Sequence, residues 1–249
     1  MDFYWRLRVK QTKWMLTVGH VGGCLGIVLG LLLVFFDIIS WYWLLPWPFI
    51  HIWNTTVISS GLHRYFSHAS YKTTKFWHNV FAYYSVVLLY GSAYAWVVIH
   101  STHHAYADTE KDSHHADWRY LLTKQFKEVP MLKTRLKQIV GDETLNFVHR
   151  YNMLMWLIFV GIFLAISPVA FLYLYVMPLG STHLVGAIHQ LTSHYKKQPR
   201  NLAILEYILP VGGEWMHKNH HDQWKNPKFA SKWWHLDIGW LFIRLIRTK

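Results

Sequence analysis

The chain has 249 residues, 53% of them hydrophobic and only 15% charged, where soluble domains carry about 25% charged residues. It holds 25 Lys and Arg against 13 Asp and Glu, for a formal net charge of +12, with 18 His, 15 Trp and one Cys. The single cysteine, Cys24, excludes a disulfide framework, a cysteine-based zinc site and a chain-borne iron–sulfur cluster. The charge deficit and the long apolar runs point to a membrane, while a mean hydropathy of only +0.11 requires much of the mass to sit in water.

A helix that crosses a bilayer needs about 20 mostly apolar residues. The first such stretch, about 15–36, follows a basic start (Arg6, Arg8, Lys10, Lys13). It is too long for a signal peptide and no small-x-small cleavage site follows it, so it reads as an uncleaved span. A second span is expected at about 41–61. The third and fourth, about 151–167 and 169–189, turn near Ser167-Pro168, because proline cannot continue a helix interior. Residues 76–99 are also apolar and long enough to cross, and charge placement decides against it. With four spans, the outer connections at about 37–41 and 166–169 contain no Lys or Arg. All basic residues then lie on the side that topology rules assign to the cytoplasm.

The expected fold is therefore an all-α integral membrane protein, one domain over 1–249. Four transmembrane helices carry a helical cytoplasmic cap, about 62–150 and 190–249, with both termini cytoplasmic, in a bacterial inner membrane or the endoplasmic reticulum. Within the cap, 76–99 is expected as an apolar helix. Residues 119–150, with Lys124, Lys127, Lys133, Arg135 and Lys137 among apolar positions, are expected as an amphipathic helix at the interface. The basic excess suits anionic headgroups or an acidic protein. Nucleic acid is not an expected partner, since no nucleic-acid motif accompanies the charge.

Three histidine clusters stand out: His63-Arg64-Tyr65-Phe66-Ser67-His68, His100-Ser101-Thr102-His103-His104 and His217-Lys218-Asn219-His220-His221. Residues three and four apart share a helix face, so each His-x-x-His-His box is expected to present three imidazoles from one side. In the first box a five-residue step turns about 140° on an α-helix, which sends His63 and His68 toward different metals or puts one past a helix end. With His189, near the inner end of the fourth span, the candidate ligands are His63, His68, His100, His103, His104, His189, His217, His220 and His221. Nine neutral nitrogen ligands exceed the four of a tetrahedral zinc, and two metal ions fit better. Imidazole suits Zn, Cu, Fe and Ni alike, so ligand type leaves the element open. The other nine, His20, His51, His78, His114, His115, His149, His183, His194 and His235, are assigned structural roles by default. Metal-bound His usually gives its second N–H to a carboxylate or carbonyl, a role expected of Asp112 and Glu214.

The boxes, their order and their spacing resemble the membrane fatty-acyl desaturases of the Δ9 type, over about residues 40–246. The resemblance extends to Gly61-Leu62-His63-Arg64-Tyr65-Phe66-Ser67-His68, to the acidic tail Asp108-Thr109-Glu110-Lys111-Asp112-Ser113-His114, and to Gly213-Glu214-Trp215-Met216-His217. Trp233-Trp234-His235-Leu236-Asp237 resembles the segment that follows the third box. It implies a di-iron centre on the nine histidines and O2 as co-substrate. It also implies a cis double bond, at Δ9, made in a saturated fatty acyl chain carried as acyl-CoA or acyl-lipid. No cytochrome-like or flavin stretch accompanies the boxes, so electrons are expected from a separate ferredoxin, cytochrome b5 or similar donor. Trp96 matches a family tryptophan beside the substrate tunnel.

Two departures are visible. The family asparagine four residues before the fourth-span histidine falls on Val185 (or Gly186), neither able to hydrogen-bond through a side chain. Residues around the second box that are often charged in the family read Val97, Val98, Ile99 and Ser101, which weakens recognition of a coenzyme A headgroup. Competing readings are a di-iron membrane hydroxylase or ketolase, a di-zinc membrane hydrolase, and a bis-His haem protein that carries electrons.

Overall fold

The computed structural model describes residues 2–114, 117–127, 129–130 and 132–248, with side chains described from residue 10 onward. His115 lies outside the described residues. Among these residues the chain is helical, with only isolated β-bridges, one of which joins Thr73 to Arg247.

Among the described residues, three helices are long and apolar enough to cross a membrane: Lys10–Phe35, Glu143–Ile166 and Pro168–Ser193. The second expected span begins with a short turn at Trp41–Leu44 and continues as one helix over 47–67, with Pro48 in its first turn. Proline is tolerated there because the first N–H groups of a helix have no internal partner. This helix is not among the three apolar ones, and its inner face shows why. Asn54, Thr55, Thr56, Ser59 and Ser60 are all buried against the rest of the bundle. Polar groups inside a bundle are satisfied by neighbouring helices, and here Asn54 Nδ2 donates to Thr182 Oγ1 at 3.3 Å.

The long helices pack through small residues. Gly23 of the first faces Gly180 of the last so closely that a Cβ on either would collide with the other's backbone. Close approach of this kind is how apolar helices associate where lipid removes the hydrophobic drive. Tyr173 Oη donates to the Gly30 carbonyl at 2.8 Å and ties the same pair. Leu25, Val28 and Phe35 on the first helix, and Leu157, Ile158, Ile162 and Ile166 on Glu143–Ile166, remain exposed. Such a broad apolar surface needs a cover, and lipid supplies it for a membrane protein. At Ser167, which is extended, the side chain accepts from the Ala170 N–H and the chain reverses.

Two expectations for the cap are corrected. The 76–99 stretch is two helices, Lys75–Val87 and Ala93–Tyr106, neither long enough to span. They break at Leu89 and Gly91, both with positive φ, and Ser92 caps the second helix by accepting from the Ala95 N–H. The 119–150 stretch is no single amphipathic helix. It holds Trp118–Thr123, Leu136–Ile139 and the start of Glu143–Ile166. The first stops at Lys124, which adopts the left-handed conformation, and Pro130 prevents the helix from resuming.

Candidate metal centre

The first histidine box departs from α-geometry. Over Ile58–Ser67 the helix widens to π turns, and the His68 N–H bonds to the His63 carbonyl at 3.2 Å, five residues back. That i→i+5 register brings the two side chains together edge to face, their ring centroids 4.8 Å apart. Of the two expectations for this five-residue step, different metals is corrected, since both rings join one cluster, and one ring past a helix end is what is found, since His68 caps the stretch that ends at Ser67.

Two groups of imidazoles result. His63, His68, His100, His104 and His220 form the first, and His103, His194, His217 and His221 the second; within each, the candidate ligand nitrogens lie within 4.8 Å of one another. Each His-x-x-His-His box serves both groups. Its i,i+4 pair (His100 and His104, or His217 and His221) enters one cluster, and the remaining histidine enters the other. Adjacent residues on a helix point about 100° apart, so His103 and His104 diverge, as do His220 and His221. The shared-face expectation for the boxes holds for the i,i+4 pairs and not for the third ring.

The nitrogens meet one another. His63 Nε2 lies 2.9 Å from His220 Nε2, His68 Nε2 2.8 Å from His100 Nε2, and His220 Nε2 2.8 Å from His104 Nε2. In the second group His217 Nε2 sits 2.7 Å from His194 Nε2 and 3.1 Å from His221 Nε2. Behind them stand carboxylates. His63 Nδ1 lies 2.8 Å from Glu214 Oε2, His103 Nδ1 2.9 Å from Asp112 Oδ1, and His194 Nδ1 3.1 Å from Asp108 Oδ2. A neutral imidazole has one N–H. Where Nδ1 gives it to a carboxylate, Nε2 keeps a bare lone pair aimed at the other rings. The buried His103 Nε2 has no hydrogen-bond partner at all among the described residues. Converging lone pairs repel unless a cation lies between them, so this donor set fits metal ions.

Burial, reinforced by neighbouring imidazoles, holds His68, His100, His103, His104, His217 and His220 well below the ordinary histidine pKa. His221 is lowered to about 4, mainly by burial. The rings stay neutral, the form a metal requires. For Glu214 burial opposes ionisation, but His63, Arg64 and Ser59 outweigh it and hold the carboxyl below its ordinary range.

Arg64 explains why the segments around the first and third boxes arrive together. Fully buried, it pairs through Nη1 with Asp237 at 2.9 Å, donates through Nη2 to the Gly212 carbonyl at 2.8 Å, and stacks 3.7 Å from the Phe229 ring centroid. Gly212 and Gly213, both at positive φ, make the turn that delivers Glu214, and a side chain on Gly213 would strike Asp237 and Arg64.

The histidine set differs at one place. His189 stands outside both clusters, its Nε2 2.8 Å from the Glu214 carbonyl oxygen, and His194, assigned a structural role from sequence, takes a place in the second. The final long helix runs to Ser193, one turn beyond the expected 189, and this extra turn carries His194 to the rings. Four residues before His194 stands an amide, Gln190. Gln190 is buried, borders the same cavity as His103 and His217, and donates to the His114 carbonyl at 3.1 Å. Among the other histidines, His20, His51 and His183 end on the carbonyls of Leu121, Pro210 and Leu88, and His78 on Asp142. A cavity opens beside both clusters, with Trp96 in its wall stacked on His100 at 5.9 Å and 9° between planes.

By architecture this is a helical membrane protein whose paired all-imidazole clusters fit a metal site. No family model matches the chain. Curated relatives do. It is 27% identical over 233 residues to a protein of Arabidopsis thaliana named a probable chloroplastic lipid desaturase (84% of this chain, 62% of the relative). It is 23% identical over 209 residues to the sn-1 stearoyl-lipid 9-desaturase of Synechocystis (76% and 64%). To the Delta-9 desaturase-like 5 protein of Arabidopsis thaliana it is 28% identical over 214 residues (77% and 69%). The chain is thus similar, over about three quarters or more of its length, to proteins named lipid and Δ9-type desaturases. The chain spans less than two thirds of the length of the first two.

Proposed function

We propose that the chain is an O2-dependent di-iron desaturase that introduces a cis double bond at Δ9 into a saturated fatty acyl chain. The observation that carries this reading is a pair of imidazole clusters, each with its nitrogens meeting one another, beside a cavity walled in part by Trp96. His63, His68, His100, His104 and His220 would hold one iron, and His103, His194, His217 and His221 the other. Bound iron supplies the activation of O2 that an unactivated methylene needs, since such C–H bonds offer no acid or base handle.

The protein's own groups do the rest. Asp112, Glu214 and Asp108 keep the Nδ1 protons of their histidines in place, so that Nε2 presents a lone pair. Gln190, beside His103 and His217, takes the position where the resemblance expects an asparagine amide. Trp96 and the cavity orient the acyl chain, and burial of the rings excludes water. Overall, one acyl chain loses two hydrogens and O2 takes up these with two further electrons and two protons, giving two waters. The electrons come from a separate carrier such as a ferredoxin or cytochrome b5. The chain is read as crossing the membrane four times with the clusters and both termini cytoplasmic, supported by the basic residues that avoid the outer connections.

The test is expression in a host lacking desaturases, with gas chromatography of total fatty acids and localisation of the double bond. A new cis monounsaturated chain is expected. No such product from iron-loaded protein supplied with reductant and O2 would contradict the reading.

A further inference from the structure

One wall of the cavity carries a group that an apolar chain alone does not explain. Lys124 follows the short helix Trp118–Thr123 with φ at 53°, a strained choice for a residue with a Cβ. Its side chain turns inward until the residue is 3% exposed. Lysines are almost never buried unless paired, yet among the described residues no carboxylate stands within ion-pair distance of this one. Nζ donates instead to two neutral acceptors, the Tyr90 hydroxyl at 2.6 Å and the His183 carbonyl at 3.1 Å. An ammonium has three N–H donors, so among the described residues one remains beyond these two. Burial brings its pKa down to about 7, the mark of a site that tolerates the charge poorly as it stands.

The position of this ammonium along the cavity matters. The Tyr90 ring centroid lies 5.2 Å from Trp96, and Trp96 stacks on His100 of the first cluster. Lys124, Tyr90, Trp96 and His100 thus line one continuous wall, while Ile58 and Val211 supply apolar lining elsewhere in the cavity. A saturated acyl substrate has one polar feature that a lone ammonium and a phenol can recognise, its carbonyl oxygen.

We propose that Lys124 and Tyr90 hold the acyl carbonyl of the substrate, so that the chain passes Trp96 with its carbonyl end fixed and the reacting carbons are counted from that end. The proposal rests on the desaturase reading and adds a polar anchor to it. The His183 carbonyl positions the ammonium. Free acid, thioester and lipid ester share the carbonyl and would all be held in this way.

The experiment compares wild type with K124M in purified, metal-loaded protein. The acyl chains are myristoyl, palmitoyl and stearoyl, each offered as free acid, coenzyme A thioester and phosphatidylcholine ester. Wild type is expected to place the double bond at one position from the carbonyl in all three chains. K124M is expected to keep its metal, to give a mixture of positions, and to raise KM on the order of tenfold, the loss of one charge-assisted hydrogen bond, with kcat changed less. The carrier that wild type uses identifies the source of the carbonyl. If K124M does not accumulate, K124Q and Y90F carry the same expectation. Unchanged positions and KM in a folded variant would overturn the proposal, as would wild-type regiochemistry counted from the methyl end. Equilibrium binding of radiolabelled palmitate and hexadecane separates the two ideas. If wild type makes no product yet K124M loses palmitate and keeps hexadecane, the desaturase reading fails and the anchor stands. Equal loss or retention of both ligands overturns the anchor.

Discussion

Buried histidines in the cap and in the bundle of long helices end in different chemistry. In the cap, eight rings meet nitrogen to nitrogen, and His103 joins them with an Nε2 that has no partner among the described residues. In the bundle, His20, His51 and His183 each end on a backbone carbonyl oxygen. A ring whose Nε2 ends on a carbonyl oxygen is satisfied by the protein; rings whose Nε2 atoms converge on one another fit a cation. Within the cap itself the carboxylates also divide. Asp108, Asp112 and Glu214 meet imidazoles, whereas Glu206 accepts the backbone N–H groups of Val211 and Gly213 at 3.0 and 2.9 Å.

The largest break in this contrast is expected from removing a clustered ring. H103A should abolish product and lower bound metal, while H51N should keep both; equal metal loss from the two variants, measured by elemental analysis, would erase the distinction. Next comes Arg64, whose loss leaves Asp237 buried without its charge partner. R64M should destabilise the fold by about 3–5 kcal/mol, read as the drop in thermal midpoint, and an unchanged midpoint would remove Arg64 from the account.

Glu206 tests the contrast by pH. Burial raises its pKa to about 7, so the folded state holds its proton more tightly than the unfolded chain. Its contribution to stability is present below the ordinary glutamate pKa and is lost as pH rises through about 7, a change of up to about 3 kcal/mol. E206Q should flatten that slope in thermal scans; an unchanged slope would place the titration elsewhere. Smaller still are the carboxylates behind the rings. E214Q and D108N should each lower metal affinity or activity by roughly 10- to 100-fold, and full metal and full activity in either would show that its carboxylate does not orient a ligand.

The His-x-x-His-His boxes were legible because α-helical spacing is regular, and their i,i+4 pairs fall as that spacing requires. His63 and His68 were not, because their common face depends on a π-helical stretch that five ordinary residues between two histidines do not announce. His194 was hidden by an end-of-helix estimate one turn short. Gln190, an amide four residues before it, was the signal that would have selected it over His189. Asp108 stood in a recognised acidic tail, but only the folded loop brings it to His194. Lys124 looked like one of several interfacial lysines, since a left-handed residue that turns its side chain inward leaves no periodic trace.

On the proposed function, two metals sit on the two clusters, with His194 in the set and His189 outside it. Iron counted per chain in purified wild type, H194A and H189A tests this most directly. The account predicts two irons in wild type, one or fewer in H194A and two in H189A. Two irons in H194A together with a loss in H189A would contradict it.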